Sequence, residues 1–152
     1  MDYMKLAVDA TIEGMDKKYG GPFGATIVRG DEVIAAVSNT MMKDTDPSAH
    51  AEMVAIRVAC EKLETMDLSD CVIYATCEPC PMCMGAIIWA GVKEVHYCST
   101  REDAAENGFS DMHLREYLKG EDDSVVQMIK VDDREDCDHL WTHFKQVSAS
   151  AE

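Results

Sequence analysis

No part of this 152-residue sequence is apolar over a length that could cross a membrane. The longest run without a charged residue, residues 79–92, has 14 residues, whereas a membrane-spanning helix needs roughly 20. The N-terminus is also not typical of a signal peptide. We therefore expect a soluble, cytoplasmic protein with no membrane partner, in which residues 79–92 form a buried helix.

Basic residues are scarce in this sequence. Lys and Arg total 14 against 29 Asp and Glu, which gives a formal net charge of -15. Proteins that bind nucleic acid neutralise its phosphates with Lys and Arg. The charge therefore argues against a nucleic-acid partner and favours a small, uncharged substrate.

The sequence also lacks internal repeats, domain linkers and a disulfide framework. Its seven cysteines are an odd number, and Cys60, Cys71 and Cys98 lie within apolar runs rather than at paired spacings. A chain of this length with 47% hydrophobic residues can build a core without covalent crosslinks. We expect one domain, residues 1–152, in a reducing compartment.

Hydrophobic periodicity predicts the order α-β-β-α-β-α-β-α-β-α. Predicted helices cover 4–19, 49–63, 82–90, 101–118 and 134–147, and predicted strands cover 23–29, 33–37, 71–76, 95–98 and 125–131. The first two strands form a hairpin at Gly30-Asp31, and helix 101–118 has the length of a crossover between parallel strands. We expect an α/β fold with a mixed sheet and helices on both faces, followed by a frayed end at 148–152.

One carboxylate is unexpected in the predicted helix 49–63. Of the ten residues 51–60, only Glu52 and Arg57 are not apolar, so this helix should be buried nearly all round. An isolated buried charge would neutralise itself through a shifted pKa unless it had a partner or a role. Glu52 is therefore a candidate functional residue.

Three cysteines stand within seven residues, in the segment Cys77-Glu78-Pro79-Cys80-Pro81-Met82-Cys83. Cys80 and Cys83 put two sulfurs on one face of a helix start, and His50 stands at the start of an earlier helix. Three such ligands leave the fourth position of a zinc ion for water, as in catalytic sites. A Cys77–Cys80 redox pair and a closed structural zinc site with Cys77 as fourth ligand are alternatives, but neither explains Glu52.

Zinc held by His50, Cys80 and Cys83 would favour hydrolytic deamination. The metal lowers the pKa of its bound water toward about 7, so that a hydroxide nucleophile is available at neutral pH. Residues two apart do not share a helix face, so His50 and Glu52 must straddle the helix entry. Glu52 would then take the water proton, protonate a ring nitrogen and help the amine leave as ammonia.

Together, H-x-E and P-C-x-x-C form the signature of zinc nucleobase deaminases. With residues 20–25 (Gly-Gly-Pro-Phe-Gly-Ala), 46–52 and 77–90, the sequence resembles the cytidine-deaminase-like superfamily over residues 6–144. Within it, the chain is most similar to the small bacterial guanine deaminases and the related plant guanosine deaminases. Residues 20–25 and 103–111 carry the similarity to this guanine branch.

The resemblance implies a three-layer α/β/α fold around a five-stranded mixed sheet, with one zinc ion per chain. In the implied pocket, Phe23 and Trp89 flank a purine ring and Asn39 hydrogen-bonds the base. Asp111 accepts a hydrogen bond from the amino group or N1–H of guanine, and Ala51 also contacts substrate. Attack on the carbon that bears the amine would yield xanthine.

The end of the chain departs from the family pattern. Guanine deaminases of this type close the pocket with an aromatic residue near the C-terminus, whereas no aromatic residue follows Phe144 here. Guanosine, an aminotriazine or another aminated heterocycle is therefore an alternative substrate to guanine. Two further alternatives are a tRNA adenosine deaminase, which shares the motifs, and a structural zinc-binding interaction module. Family members are dimers, which implies a homodimer that exchanges a C-terminal segment at about residues 133–152.

Overall fold

The computed structural model of the protein describes residues 1–131 and 135–150. Within them, none of the helices is long and apolar enough to span a bilayer. The elements follow in the order α1 (Tyr3–Asp16), β1 (Gly24–Arg29), β2 (Glu32–Ser38), α2 (Met41–Asp44), α3 (Ala51–Leu63), β3 (Cys71–Cys77), α4 (Pro81–Trp89), β4 (Val95–Ser99), α5 (Arg101–Glu106), α6 (Met112–Leu118) and α7 (Glu135–Ser150).

The strands form one mixed sheet in the order β2-β1-β3-β4. Strand β1 runs antiparallel to both β2 and β3, and β3 runs parallel to β4. The β1–β2 hairpin turns at Gly30, whose φ of 61° suits glycine. The predicted hairpin and the predicted mixed sheet are therefore confirmed.

Different helices cover the two faces of the sheet. Side chains alternate along a strand, and Ala25 and Ile27 of β1 pack in the core cluster with Ile87 of α4 and with three alanines of α3, Ala51, Ala55 and Ala59. Gly24 faces the other way, toward α1, where a Cβ atom would clash with Thr11. Helix α1 therefore lies on one face, and α3 and α4 lie on the other.

The prediction of a five-stranded sheet is wrong for the chain as described, since the sheet has four strands. Residues 125–131 are not a strand. Their apolar side chains are exposed rather than packed on β4: Val125, Val126, Met128, Ile129 and Val131. A β-branched run has the local preference for a strand, but a strand also needs a partner and a covered face. The predicted crossover into this strand is consequently absent.

The predicted helix 101–118 is two helices. Helix α5 ends in a Schellman motif: Gly108 has a φ of 90°, its N–H donates to Ala105, and the N–H of Phe109 donates to Ala104. The chain turns there, and α6 begins at Met112, directly after its N-cap Asp111. This turn brings residues 109–111 to the mouth of the site described below.

The remaining differences lie at helix ends. Helix α1 ends at Asp16 rather than at residue 19, because Lys18 has a positive φ of 60°. The predicted loop 38–48 contains the short helix α2. Helix α7 continues to Ser150, so residues 148–150 are not frayed. The predicted start of that helix at Arg134 and the last two residues lie outside the described residues.

Candidate metal centre and active-site cavity

The N-termini of α3 and α4 converge on the candidate metal centre. His50 is the N-cap of α3 and Cys80 is the N-cap of α4, both with extended backbone that turns the side chain away from the helix. Pro81 follows at the first position of α4, where a missing N–H costs no helical hydrogen bond. Cys83 lies in the first turn of α4 and is fully buried.

The three ligand atoms lie close enough to share one ion. Nδ1 of His50 is 3.5 Å from Sγ of Cys80 and 3.5 Å from Sγ of Cys83. All three atoms lie within 4.8 Å of one another. Two sulfurs and one imidazole form a donor set that suits tetrahedral zinc and leaves one position for water. These residues therefore fit a zinc ion of the catalytic type.

The charges of these groups are adjusted to one another. The hydrogen bond from Cys83 lowers the pKa of Cys80, and the hydrogen bond with His50 lowers it further. The pKa of Cys83 is raised, mainly by the same hydrogen bond with Cys80 and secondly by burial of the thiol. The hydrogen bond between His50 and Cys80 raises the pKa of the His50 imidazole. The site thus favours a thiolate, which is the form of cysteine that binds metal.

Glu52 lies beside the three candidate metal ligands and outside their group. It stands in the first turn of α3, is 6% exposed, and lines the same cavity as His50 and Cys80. Burial is the main cause that raises the pKa of its carboxyl group. The group of potential ligand atoms within the described residues does not include Glu52. Its carboxyl group is therefore available for proton transfer.

Cys77 is held apart from the centre. Its Sγ contacts the carbonyl oxygen of Thr100 at 3.6 Å, and burial raises the pKa of the thiol. Cys77 is also absent from the group of ligand atoms. Neither a Cys77–Cys80 redox pair nor a fourth zinc ligand at Cys77 is supported.

A cavity of about 650 Å³ opens over the centre. Asn39 lines it and is only 4% exposed, and its Oδ1 accepts from the N–H of Met41 at 3.0 Å. Gly20 packs so closely that any Cβ atom there would clash with the Asn39 side chain. Gly20 therefore has a steric reason, because it leaves room for the Asn39 amide.

One aromatic wall differs from the prediction. Phe23 lines the cavity as expected, and its ring meets Phe109 edge to face, with centroids 5.1 Å apart. Trp89 does not line the cavity and is 91% exposed. Cys83 and Ile87 lie on the buried face of α4, and a residue two positions after Ile87 points about 200° around the helix. The placement of Trp89 in the pocket is therefore corrected for the single chain.

The other predicted substrate contacts have mixed outcomes. Asp111 lines the cavity, at the N-cap of α6. Ala51 is fully buried in the core cluster and does not line the cavity. The sequence predicted no role for Phe109 or for several further lining residues: Met41, Glu78, Arg101, His113 and Leu114. The segment 103–111 was the available signal for Phe109.

Glu78 connects the segment before Cys80 to the start of α5. Its side chain accepts from the backbone N–H of Arg101 at 3.0 Å, and its own N–H donates to the carbonyl of Ser99. Thr100 and Asp103 cap the same helix end reciprocally. These bonds place the start of α5 directly beside the loop that carries Cys80.

The sequence model of the cytidine and deoxycytidylate deaminase zinc-binding region matches residues 1–99. The chain belongs to this family. A curated relative, the guanine deaminase of Bacillus subtilis strain 168, is 48% identical over 112 residues, which cover 74% of this chain and 72% of the relative. The resemblance inferred from the two motifs is confirmed.

Solved structures give the same result for the fold. The X-ray structure of guanine deaminase from Bacillus subtilis superposes with a TM-score of 0.83 at 39% identity, over 93% of this chain and 92% of that one. The tRNA-specific adenosine deaminase of Aquifex aeolicus is 43% identical, but over 74 residues, which are 49% of each chain. The family's fold and zinc-binding region are thus present here.

Proposed function

We propose that this chain is a zinc-dependent aminohydrolase that converts guanine and water to xanthine and ammonia. The observation that carries the proposal is one cavity beside a group of three zinc-type ligands, two of which, His50 and Cys80, line it. A buried carboxyl group, Glu52, and three side chains suited to purine recognition line the same cavity. The relative named guanine deaminase, which matches most of this chain, supports guanine as the substrate.

His50, Cys80 and Cys83 hold the zinc ion, about one per chain. When bound, the metal supplies Lewis-acid chemistry that activates water at neutral pH. Glu52 takes a proton from the attacking water as its oxygen bonds to C2 of guanine. Glu52 passes this proton to a ring nitrogen. It then carries the remaining proton from the new C2 hydroxyl group to the amine, so that the C2–N bond breaks, ammonia leaves and the C2 carbonyl of xanthine forms.

Asn39, Phe23 and Asp111 orient the ring. The Asn39 amide is fixed by its bond to the N–H of Met41 and hydrogen-bonds the base. Phe23, braced edge to face by Phe109, offers a ring for stacking. Asp111 accepts from N1–H or the amino group of guanine, so a base without these donors would leave a polar group unpaired in the pocket.

Other substrates are weaker candidates. A tRNA substrate is disfavoured by the net charge of -15, and the tRNA-specific relative matches half of the chain. Guanosine has a specific observation in its favour. The cavity of about 650 Å³ has room beyond a free base.

We also propose a homodimer that exchanges a C-terminal segment at about residues 133–152. Leu140, Trp141 and Phe144 of α7 are 67–69% exposed in the described chain. Such apolar side chains clustered on one helix normally meet a covering surface. A second subunit is the cover we propose. A cytoplasmic location is part of the proposal, since all seven cysteines are free thiols.

The test is an ammonia-release screen with zinc-loaded protein. The rings are guanine, guanosine, adenine, cytosine, cytidine and aminotriazines, with a tRNA substrate as a separate arm. We expect ammonia from guanine and about one zinc per chain. Full zinc content without ammonia from any ring would contradict the enzyme assignment and support a structural zinc module. Release from the tRNA arm alone would favour the tRNA alternative.

A further inference from the structure

Asp111 takes part in an unusually shielded ion pair. Nε of Arg115 donates to both carboxylate oxygens of Asp111, at 2.9 Å each. The two side chains are 19% and 22% exposed. In the ion pairs between residues 5 and 102, by contrast, every side chain is at least 36% exposed. Exposed pairs contribute little because water screens them. The Asp111–Arg115 pair is better shielded than these six, so it is better suited to fix the position of the Asp111 carboxylate.

The same guanidinium also contacts the backbone next to Cys80. Nη2 of Arg115 lies 3.5 Å from the carbonyl oxygen of Pro79, the residue before Cys80. The hydrogen bond to Asp111 raises the pKa of Arg115, and the charges of Asp111, Glu78 and Cys80 add to this. One side chain therefore connects the Asp111 carboxylate to Pro79, which directly precedes the candidate metal ligand Cys80.

Helix α6 needs such a connection. None of its residues, Met112–Leu118, is fully buried, and residues 114–117 are half-buried. Core packing therefore anchors this helix less firmly than it anchors α3 and α4, which have fully buried residues. Arg115 itself is not part of the wall of the main cavity, whereas Asp111 is. A planar guanidinium fork holds a carboxylate and a carbonyl in a defined relative orientation, which a lysine ammonium does not.

We propose that Arg115 is a positioning residue that holds Asp111 at a set place relative to the metal ligands and thereby sets selectivity for rings with adjacent N–H donors. The inference rests on the proposed function, in which Asp111 accepts hydrogen bonds from guanine. An ionised carboxylate has about four lone-pair sites. The single Nε–H of Arg115, shared between the two carboxylate oxygens, leaves the other sites for N1–H and the amino group of the substrate.

The test measures binding without turnover, in the zinc-loaded Glu52→Gln protein, by calorimetric titration with guanine. Adding Arg115→Met should weaken guanine binding about tenfold, the scale of one charge-assisted hydrogen bond. 2-Aminopurine keeps the amine but lacks N1–H, so its binding should weaken by a smaller factor. Arg29→Met, which breaks the exposed pair with Glu32, is the matched control and should leave both affinities unchanged.

A double-mutant cycle separates positioning from general structure. In an Asp111→Ala background, Arg115→Met should change guanine affinity less than about twofold, because no carboxylate is left for Arg115 to position. Arg115→Lys keeps the charge but not the fork and should remain weakened. Equal losses in both backgrounds, full recovery with lysine, or loss of zinc from the Arg115 variants would each overturn the inference. Arg115→Gln provides the same cycle if the methionine variant does not fold.

The proposed function is judged by a different measurement, which is ammonia release from guanine by the unsubstituted protein. If that protein deaminates another ring, guanine deamination fails, and the binding cycle is run with that ring. The inference then stands or falls on the coupling between Arg115 and Asp111 alone. A protein that binds none of the screened rings would overturn both.

Discussion

Replacing Glu52 with glutamine separates proton transfer from metal binding. Glutamine has nearly the same shape but cannot accept and return a proton. Glu52 is 6% exposed and stands in the first turn of α3, and burial already raises the pKa of its carboxyl group. A neutral amide is therefore not an unusual burden for this position, and the fold should persist.

The expected loss follows from the role of a positioned acid–base group. Such groups contribute about 10²–10⁴-fold, which corresponds to roughly 3–5 kcal/mol in the activation free energy. Zinc should stay at about one per chain, because the ligand group consists of His50, Cys80 and Cys83. The assays are ammonia release from guanine, zinc content by elemental analysis and thermal unfolding.

The control is Glu61→Gln, which removes a carboxylate from the exposed side of the same helix. Its turnover should equal that of the unsubstituted protein. Normal turnover by Glu52→Gln would refute the proton-shuttle role. Loss of zinc together with turnover would show instead that Glu52 acts through the metal site.

Three further predictions concern the ligands, the pocket and the dimer. Cys83→Ser should lose most of its zinc and its stabilisation by zinc, measured by elemental analysis and melting temperature, whereas exposed Cys98→Ser should keep both. Gly20→Ala should raise KM for guanine without loss of zinc, because the methyl group displaces Asn39; Gly85→Ala, with open space around it, is the control, and an unchanged KM would contradict the steric argument. Phe144→Asp should shift the protein from dimer to monomer in analytical ultracentrifugation, and an unchanged dimer would place the interface elsewhere.

The sequence predicted the metal centre well because its determinants are local. Each motif lies within a few residues of a helix start, and apolar periodicity locates those starts. His50 and Cys80 are N-caps as the spacing requires. The H-x-E and P-C-x-x-C motifs meet because α3 and α4 pack on the same face of the sheet. The apolar composition of both helices predicted this burial.

The predictions failed where the local sequence pattern favours one structure and the tertiary surroundings require another. Residues 125–131 have the composition of a strand, yet no rule of composition supplies the neighbour that a strand needs. Trp89 was assigned by resemblance, although its position two residues after buried Ile87 already indicated the outer face of α4. The break of helix 101–118 had a visible signal in Asn107-Gly108, a typical helix C-terminus.

The distribution of burial separates reaction type from substrate choice. The metal ligands and Glu52 are attached to α3 and α4, whose inner faces form the core. Phe109 and Asp111, by contrast, are carried by the α5–α6 segment, in which neither helix has a buried residue. Substitutions in that segment can therefore move the recognition groups at little cost in folding free energy, whereas changes around Glu52 disturb the core. We expect substitutions near residue 111 to alter which ring is accepted while zinc binding and deamination chemistry persist.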